Sequence, residues 1–190
     1  MRTPLFIISV SLGSALATNA QTNAIKINPI SLALTTVNLS FEHKVSDKAS
    51  FQIGAFYTVL NYSNVLGGNR TDFSGFGITP EFRFYVVGKP RQGLFLGPYL
   101  RYQNLNATAS GNDNFGNSAF YEATLNTFGG GVNLGYQWVF GGRFVLEPFL
   151  RIGFNSGSIN YSGSAARKNF NFDAFYGASV LPGLNLGCAF

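Results

Sequence analysis

The residues of this chain that are best suited to chemistry are three glutamates and three arginines, set singly into segments rich in aromatic residues. A carboxylate can donate or accept a proton, and a guanidinium can bind a carboxylate or another anion through paired hydrogen bonds. Which of these roles applies depends on whether the six side chains face one another. They are Glu42, Glu81, Arg83, Arg101, Glu147 and Arg151.

The segments that carry these residues alternate with a period of two, which is typical of β-strands. In "PEFRF", Phe82 and Phe84 fall on one face, and Glu81 and Arg83 fall on the other. Further segments show the same alternation, and turn residues separate them from one another. This pattern predicts eight strands and an all-β chain. The predicted strands are near 24–34, 36–45, 50–62, 74–87, 94–106, 121–140, 144–158 and 173–190.

The two faces of these strands differ in size as well as in polarity. The apolar face carries the bulky aromatics, whereas the polar face is crowded with glycine, the reverse of a solvated outer face. An eight-stranded barrel has an interior just wide enough to be filled by side chains. Buried ions persist only when they are paired, so the six charged residues predict a balanced network that plugs the interior. A gate or narrow ion path through the same residues is the alternative.

The composition and the first residues indicate export. Residues 1–20 combine Arg2, the apolar run "LFIISVSLGSALA" and a small residue before Gln21, as in a signal peptide. This interpretation leaves 21–190 as one outer-membrane β-barrel domain, without a transmembrane helix. The lone Cys188 excludes an internal disulfide, and the scattered basic residues argue against a nucleic-acid partner.

The connections alternate between tight turns such as "GGR" and long polar loops, which places the loops at one end of the sheet. Together with the apolar outer face, this predicts an up-and-down antiparallel transmembrane β-barrel. A soluble β-sandwich is the alternative fold. The alternation changes phase near Pro29 and near 129–131, where we expect bulges or bends. Local bulging is also expected at three prolines inside strands, namely Pro80, Pro98 and Pro148.

The chain ends in "LNLGCAF", which is similar to the terminal strand of small eight-stranded outer-membrane barrels, the OmpA/OmpX-like group, and the whole pattern resembles uncharacterised Bacteroidetes members. The resemblance implies that Leu184, Leu186 and Phe190 form an assembly signal for the barrel assembly machinery. Cys188 departs from the large apolar residue common at that position. The resemblance identifies an architecture and not an activity.

Nothing in the sequence favours catalysis. The single histidine, His43, falls on the face opposite to Glu42, so the two cannot form a dyad, and one His with one Cys supplies no metal cluster. "GGGVNLG" lacks the spacing of a phosphate-binding loop. We therefore expect no enzyme and no cofactor, although a lipid-A-modifying enzyme and a small passive channel are the alternatives.

The expected role is structural or interactive, with the loops as the contact surface for an extracellular ligand that the sequence does not identify. The expected partners are outer-membrane lipid, lipopolysaccharide and the assembly machinery, and the barrel is expected to be a monomer in the outer membrane. Loop cations could attract lipopolysaccharide phosphates, and solvated loop charge is the alternative interpretation. These cations are Arg70, Arg167 and Lys168.

Overall fold

The computed structural model describes residues 22–63, 70–112, 118–163 and 176–190. The predicted signal peptide, Arg167 and Lys168 lie outside these residues, as does the side chain of Arg70. The elements are β1 (Asn23–Ile27), α1 (Pro29–Ala33), β2 (Thr36–Lys44), β3 (Ala49–Ser63), β4 (Arg70–Lys89), β5 (Gln92–Asn112), β6 (Ser118–Phe140), β7 (Phe144–Gly163) and β8 (Gly177–Ala189).

The eight strands form one closed antiparallel ring in which each strand pairs with its neighbours in sequence and β1 pairs with β8. The prediction of an all-β, up-and-down barrel of eight strands is therefore confirmed. The tight turns between β2 and β3, β4 and β5, and β6 and β7 lie at one end, which we call the short-turn end. The described part of the chain contains no helix long and apolar enough to cross a membrane.

The first predicted strand, 24–34, is wrong in its second half. β1 ends at Ile27, and α1 follows it. Asn28 caps this helix, since its side chain accepts a hydrogen bond from the Ser31 amide at 3.0 Å, and Pro29 occupies the first turn without losing a bond. The phase change near Pro29 is thus the start of a helix and not a bulge.

The wall of the barrel is uneven in height because of α1. β1 has 5 residues, whereas β6 has 23. β8 pairs with β1 only from Leu186 to Ala189, so the rest of β8 has β7 as its one described strand partner. α1 lies beside β8 at the end of this short seam.

Of the bulge or bend predicted near 129–131, the bulge is wrong, because β6 pairs with β5 and β7 without a register shift through these glycines. The register is also unshifted at Pro80, Pro98 and Pro148. The ladder is continuous on one side of each proline, with β3, β6 and β8 respectively, and it skips the proline on the other side. The prolines point outwards instead. Among the described residues, the register shifts between Tyr85 and Val87, where the alternation predicts no irregularity.

What changes near Gly129 is the polarity of the two faces. Towards the short-turn end the outward residues are large and apolar, and half or more of Leu100, Phe128 and Ile152 is exposed. Towards the opposite end, Leu105 and Leu125 are fully buried inside, with Phe56, Phe73 and Ile159 packed around them. We call this apolar interior group the upper cluster.

The outer face beside the upper cluster is polar. The Asn104 side-chain amide donates to Asn126 Oδ1 at 2.6 Å, and the Thr124 hydroxyl donates to Asn106 Oδ1 at 2.8 Å. The barrel therefore has an apolar outer band, whose interior is polar, and above it a polar outer rim, whose interior is apolar. β5 and β6 each run without interruption from the apolar outer band into the polar outer rim.

Candidate functional site

Charged side chains from four strands meet in the interior of the apolar band. β1 supplies Lys26, β2 supplies Glu42, β4 supplies Glu81 and Arg83, and β7 supplies Glu147. Each lies on the inward parity of its strand, and each is at most 1% exposed. Together with Arg151 we call this set the ion network.

Two cations hold two carboxylates at the centre of the network. Lys26 Nζ contacts Glu42 Oε2 at 2.7 Å and Glu147 Oε2 at 2.5 Å. Arg83 forms a forked pair with Glu147, at 2.8 Å from Nη1 and 3.1 Å from Nη2. Arg83 Nη1 is also 3.6 Å from Glu42. The two carboxylates therefore share both cations, which is the arrangement that makes buried charge tolerable.

Glu81 extends the network towards β6 and β7. It accepts from Arg83 Nε at 2.6 Å, from the Asn133 amide at 2.8 Å and from Arg151 Nη2 at 3.0 Å. Arg83 thus bonds to both Glu81 and Glu147. The two parts of the network are joined through one guanidinium.

Neutral groups fill the remaining acceptor positions. The Tyr85 hydroxyl donates to Glu42 at 2.7 Å, the Ser50 hydroxyl donates to the same carboxylate, and the Asn185 amide donates to Glu147 at 2.8 Å. The Gln137 amide nitrogen, turned towards its acceptors, is 3.1 Å from Glu42 and 3.0 Å from Glu147. Each of the three carboxylates therefore accepts at least three hydrogen bonds from side chains of the network.

Aromatic rings cover the arginines. The Arg83 guanidinium lies 4.2 Å from the centre of the Phe95 ring, and that of Arg151 lies 4.8 Å from the centre of the Phe149 ring. These contacts favour a cation held over the ring face. Gly135 and Gly183 make room for the rings, because a Cβ at either position would overlap Phe95 or Phe149 respectively. The inward glycines therefore serve packing.

The structure brings five of the six predicted charged residues together and leaves Arg101 apart. Arg101 makes no ion pair with a described residue, and its guanidinium lies 5.6 Å from the centre of the Tyr99 ring. Lys26 is the residue that the sequence interpretation missed. The phase change predicted near Pro29 leaves the parity of β1 open, although in "NAIKI" Lys26 shares the inner face with Ala24.

The missed lysine corrects the expected charge balance. The strands place four cations in the interior, Lys26, Arg83, Arg101 and Arg151, against three carboxylates. The prediction of three acidic and three basic residues is wrong by one positive charge. Among these strand cations, Arg101 is the one for which no described carboxylate is left; Arg91, in the turn between β4 and β5, is also buried without an ion pair to a described residue.

Outside the interior, His43 is exposed, and its Nδ1 lies 2.8 Å from Asn23 Oδ1 on the neighbouring strand. Its face is opposite to that of buried Glu42, as the alternation predicted. Among the described residues, no group of three or more His, Cys, Asp or Glu side chains could hold a metal ion.

The residues expected to form an assembly signal lie at the seam. Leu186 pairs with Ile27 of β1, Leu184 pairs with Pro148 of β7, and the Phe190 amide donates to the Asn23 carbonyl at 2.9 Å. Leu186 and Phe190 are exposed on the outer face. Their role in assembly stays a prediction.

Comparison with known proteins identifies a family but no activity. No curated protein and no solved structure matches the chain. One family model does match, over residues 5–172, and its description is "Protein of unknown function (DUF3575)".

Proposed function

We propose that this chain, which belongs to the DUF3575 family of proteins of unknown function, is an integral outer-membrane barrel of the small OmpA/OmpX-like type. In this proposal the ion network closes the barrel to solute flow, and the protein acts as a structural or surface-interaction element through its long-loop end. It has no catalytic role and works as a monomer. Lipid and lipopolysaccharide surround it.

The observation that carries the proposal is the apolar outer band on a closed sheet. Many large side chains on this band are 40–60% exposed, among them Leu39, Ile53, Phe76, Val132 and Phe154. Soluble monomers rarely expose a contiguous apolar surface of this kind. A closed barrel also satisfies the backbone hydrogen bonds that hydrocarbon cannot.

The filled interior supports closure rather than conduction. Fully buried side chains from β1, β2, β4 and β7 are bonded to one another across the barrel, and the upper cluster lies beyond them. An ion crossing this interior would have to break several charge-assisted hydrogen bonds. This supports a plug over the channel alternative.

Membrane insertion can be tested by folding the purified chain into lipid vesicles and treating them with protease. The proposal expects a protected core and faster gel migration of the unboiled sample than of the boiled one. Identical migration, with complete digestion, would refute an integral barrel.

Closure and catalysis need separate measurements. Planar-bilayer recordings should give no defined conductance steps, and steps abolished by Arg83→Gln would favour a channel. Mass spectra of lipid A from cells with and without the protein should be identical. A changed acyl pattern would replace the non-enzymatic proposal with a lipid-modifying one.

A further inference from the structure

A small cavity lies in the barrel interior between the ion network and the upper cluster. Its volume is about 20 Å³, and its polar lining comes from six of the eight strands. None of the residues that line it is Asp or Glu. The polar lining residues are Asn38, Ser40, Gln52, Thr79, Arg101, Arg151 and Asn185.

The charge around the cavity is positive and incompletely compensated. Arg101 and Arg151 both line it, and each guanidinium lies 5.6 Å from the centre of the Tyr99 ring. Arg151 has Glu81 as a partner at 3.0 Å, but Arg101 has no carboxylate among the described residues. Arg101 is partly buried, and taking a cation out of water without a counterion is costly.

Polar groups that point to a missing partner surround the same space. Gln52 is fully buried, and neither its side-chain nitrogen nor its oxygen has a hydrogen-bond partner among the described residues. The Nε atoms of Arg101 and Arg151 are buried and unpartnered too. Buried polar atoms are nearly always hydrogen-bonded in native proteins, so a cluster of unpaired donors indicates a bound species.

We propose that this cavity binds one small monovalent anion of halide size, with chloride as the ligand, between Arg101, Arg151 and Gln52. The three side chains supply only donors once the Gln52 amide nitrogen faces the anion. The volume accommodates about one water-sized species, which excludes sulfate, phosphate and carboxylate ligands. The anion neutralises Arg101, the cation lining the cavity that has no carboxylate partner among the described residues.

The full chain, refolded into detergent micelles, provides the test. Urea unfolding is followed by the fluorescence of Trp138, the one tryptophan in the sequence, in sodium chloride and in sodium gluconate at equal ionic strength. Gluconate is too large for the cavity. Refolding in each salt removes any dependence on slow entry. Above the dissociation constant, each tenfold increase in chloride should raise the folding equilibrium constant about tenfold.

Two variants separate this site from general salt effects. Arg101→Gln should abolish the difference between chloride and gluconate, and in gluconate it should be at least as stable as the unmodified chain because it removes the unpaired cation. Arg143→Gln, in the exposed turn between β6 and β7, should keep the full chloride effect. Equal stability of the unmodified chain in the two salts would refute the proposal and assign the cavity to water.

A direct measurement covers the case in which Arg101→Gln fails to fold. The chlorine-35 NMR signal should broaden with the unmodified folded protein, and bromide at millimolar concentration should reverse the broadening by competition. Gln52→Leu, which removes the unpaired amide, should weaken it. No broadening beyond that of micelles alone would overturn the anion site, whatever the behaviour of the variants.

Discussion

Lys26 and Glu147 form a buried ion pair across the seam where the barrel closes, although they lie 121 residues apart in the sequence. β8 stands between their strands and contributes Asn185, which donates to the same carboxylate. The pair therefore joins the first strand to the end of the ring. The closing seam has only five backbone-paired residues on each side, counting the Asn23–Phe190 pair, so side-chain contacts across it carry more of its stability than elsewhere.

Replacing this lysine should weaken the closed barrel. Lys26→Met leaves Glu42 and Glu147 buried with one shared cation instead of two, and breaking a buried pair in this way costs about 3–5 kcal/mol. The measurement is the free energy of unfolding in urea, from the ratio of folded and unfolded gel bands. Lys48→Met, in the exposed turn after β2, is the matched control and should change it by less than about 0.5 kcal/mol. Equal effects of the two variants would contradict the role of Lys26.

Glu81 and Arg151 should be energetically coupled. Glu81→Gln alone leaves Arg151 without its carboxylate, and Arg151→Gln alone leaves Glu81 with Arg83 only. Residues in one ion network typically show interaction energies of about 0.5–3 kcal/mol. The double variant should therefore lose less stability than the two single losses added together. Simple additivity in urea unfolding would mean that the pair makes no contribution.

The glycine beneath Phe149 should not tolerate a side chain. A Cβ at Gly183 would overlap the Phe149 ring, which itself supports Arg151, and overpacking of this kind costs about 1–3 kcal/mol. Gly54→Ala is the control, because a Cβ there would meet its nearest neighbours at 3.7–3.8 Å. Thermal loss of the folded gel band should occur at a lower temperature for Gly183→Ala only. The same temperature for both would show that the ring moves freely.

Two outward positions of β5 should differ in their response to charge. Leu100 lies in the apolar band, and Thr108 lies in the polar rim. An arginine near the middle of a bilayer costs about 2–4 kcal/mol, and near an interface about 0–1 kcal/mol. Leu100→Arg should therefore reduce the free energy of unfolding in lipid vesicles far more than Thr108→Arg. A similar effect of both would argue against the proposed position of the band.

The fold could be predicted from the sequence because a period of two gives both the strand and its faces. Glu81, Arg83 and Glu147 lie inside as their parity requires, and the six charged positions needed no tertiary information. Lys26 was missed because local rules near Pro29 permit either a bulge or a helix start. In β6 the apolar residues move from the outer to the inner face near Gly129, and the alternation alone suggests a change of phase there. A sequence pattern does not reveal that the surroundings of a strand change along its length.

The pairing of Arg101 was the least predictable feature. Parity places it inside with five other charges, but which cations reach which carboxylates depends on the stagger between strands and on Lys26. If Lys26 is left out, the charges on the strands balance in the interior. If Lys26 is included, their sum is positive. Contacts between strands distant in sequence decide this count, and no local pattern contains them.

The short seam between β1 and β8 makes the strand wall lower on one side of the barrel than on the other. At about 3.3 Å per residue, β1 rises only some 17 Å, whereas a hydrocarbon core is about 30 Å thick. A bilayer around this barrel would meet a full strand wall on the β5–β6 side and, on the other side, a five-residue strand topped by α1. Beside the short seam the bilayer would have to become thinner, or its lipids would have to tilt, to match the low wall. The deformation of a membrane around this barrel would therefore be asymmetric.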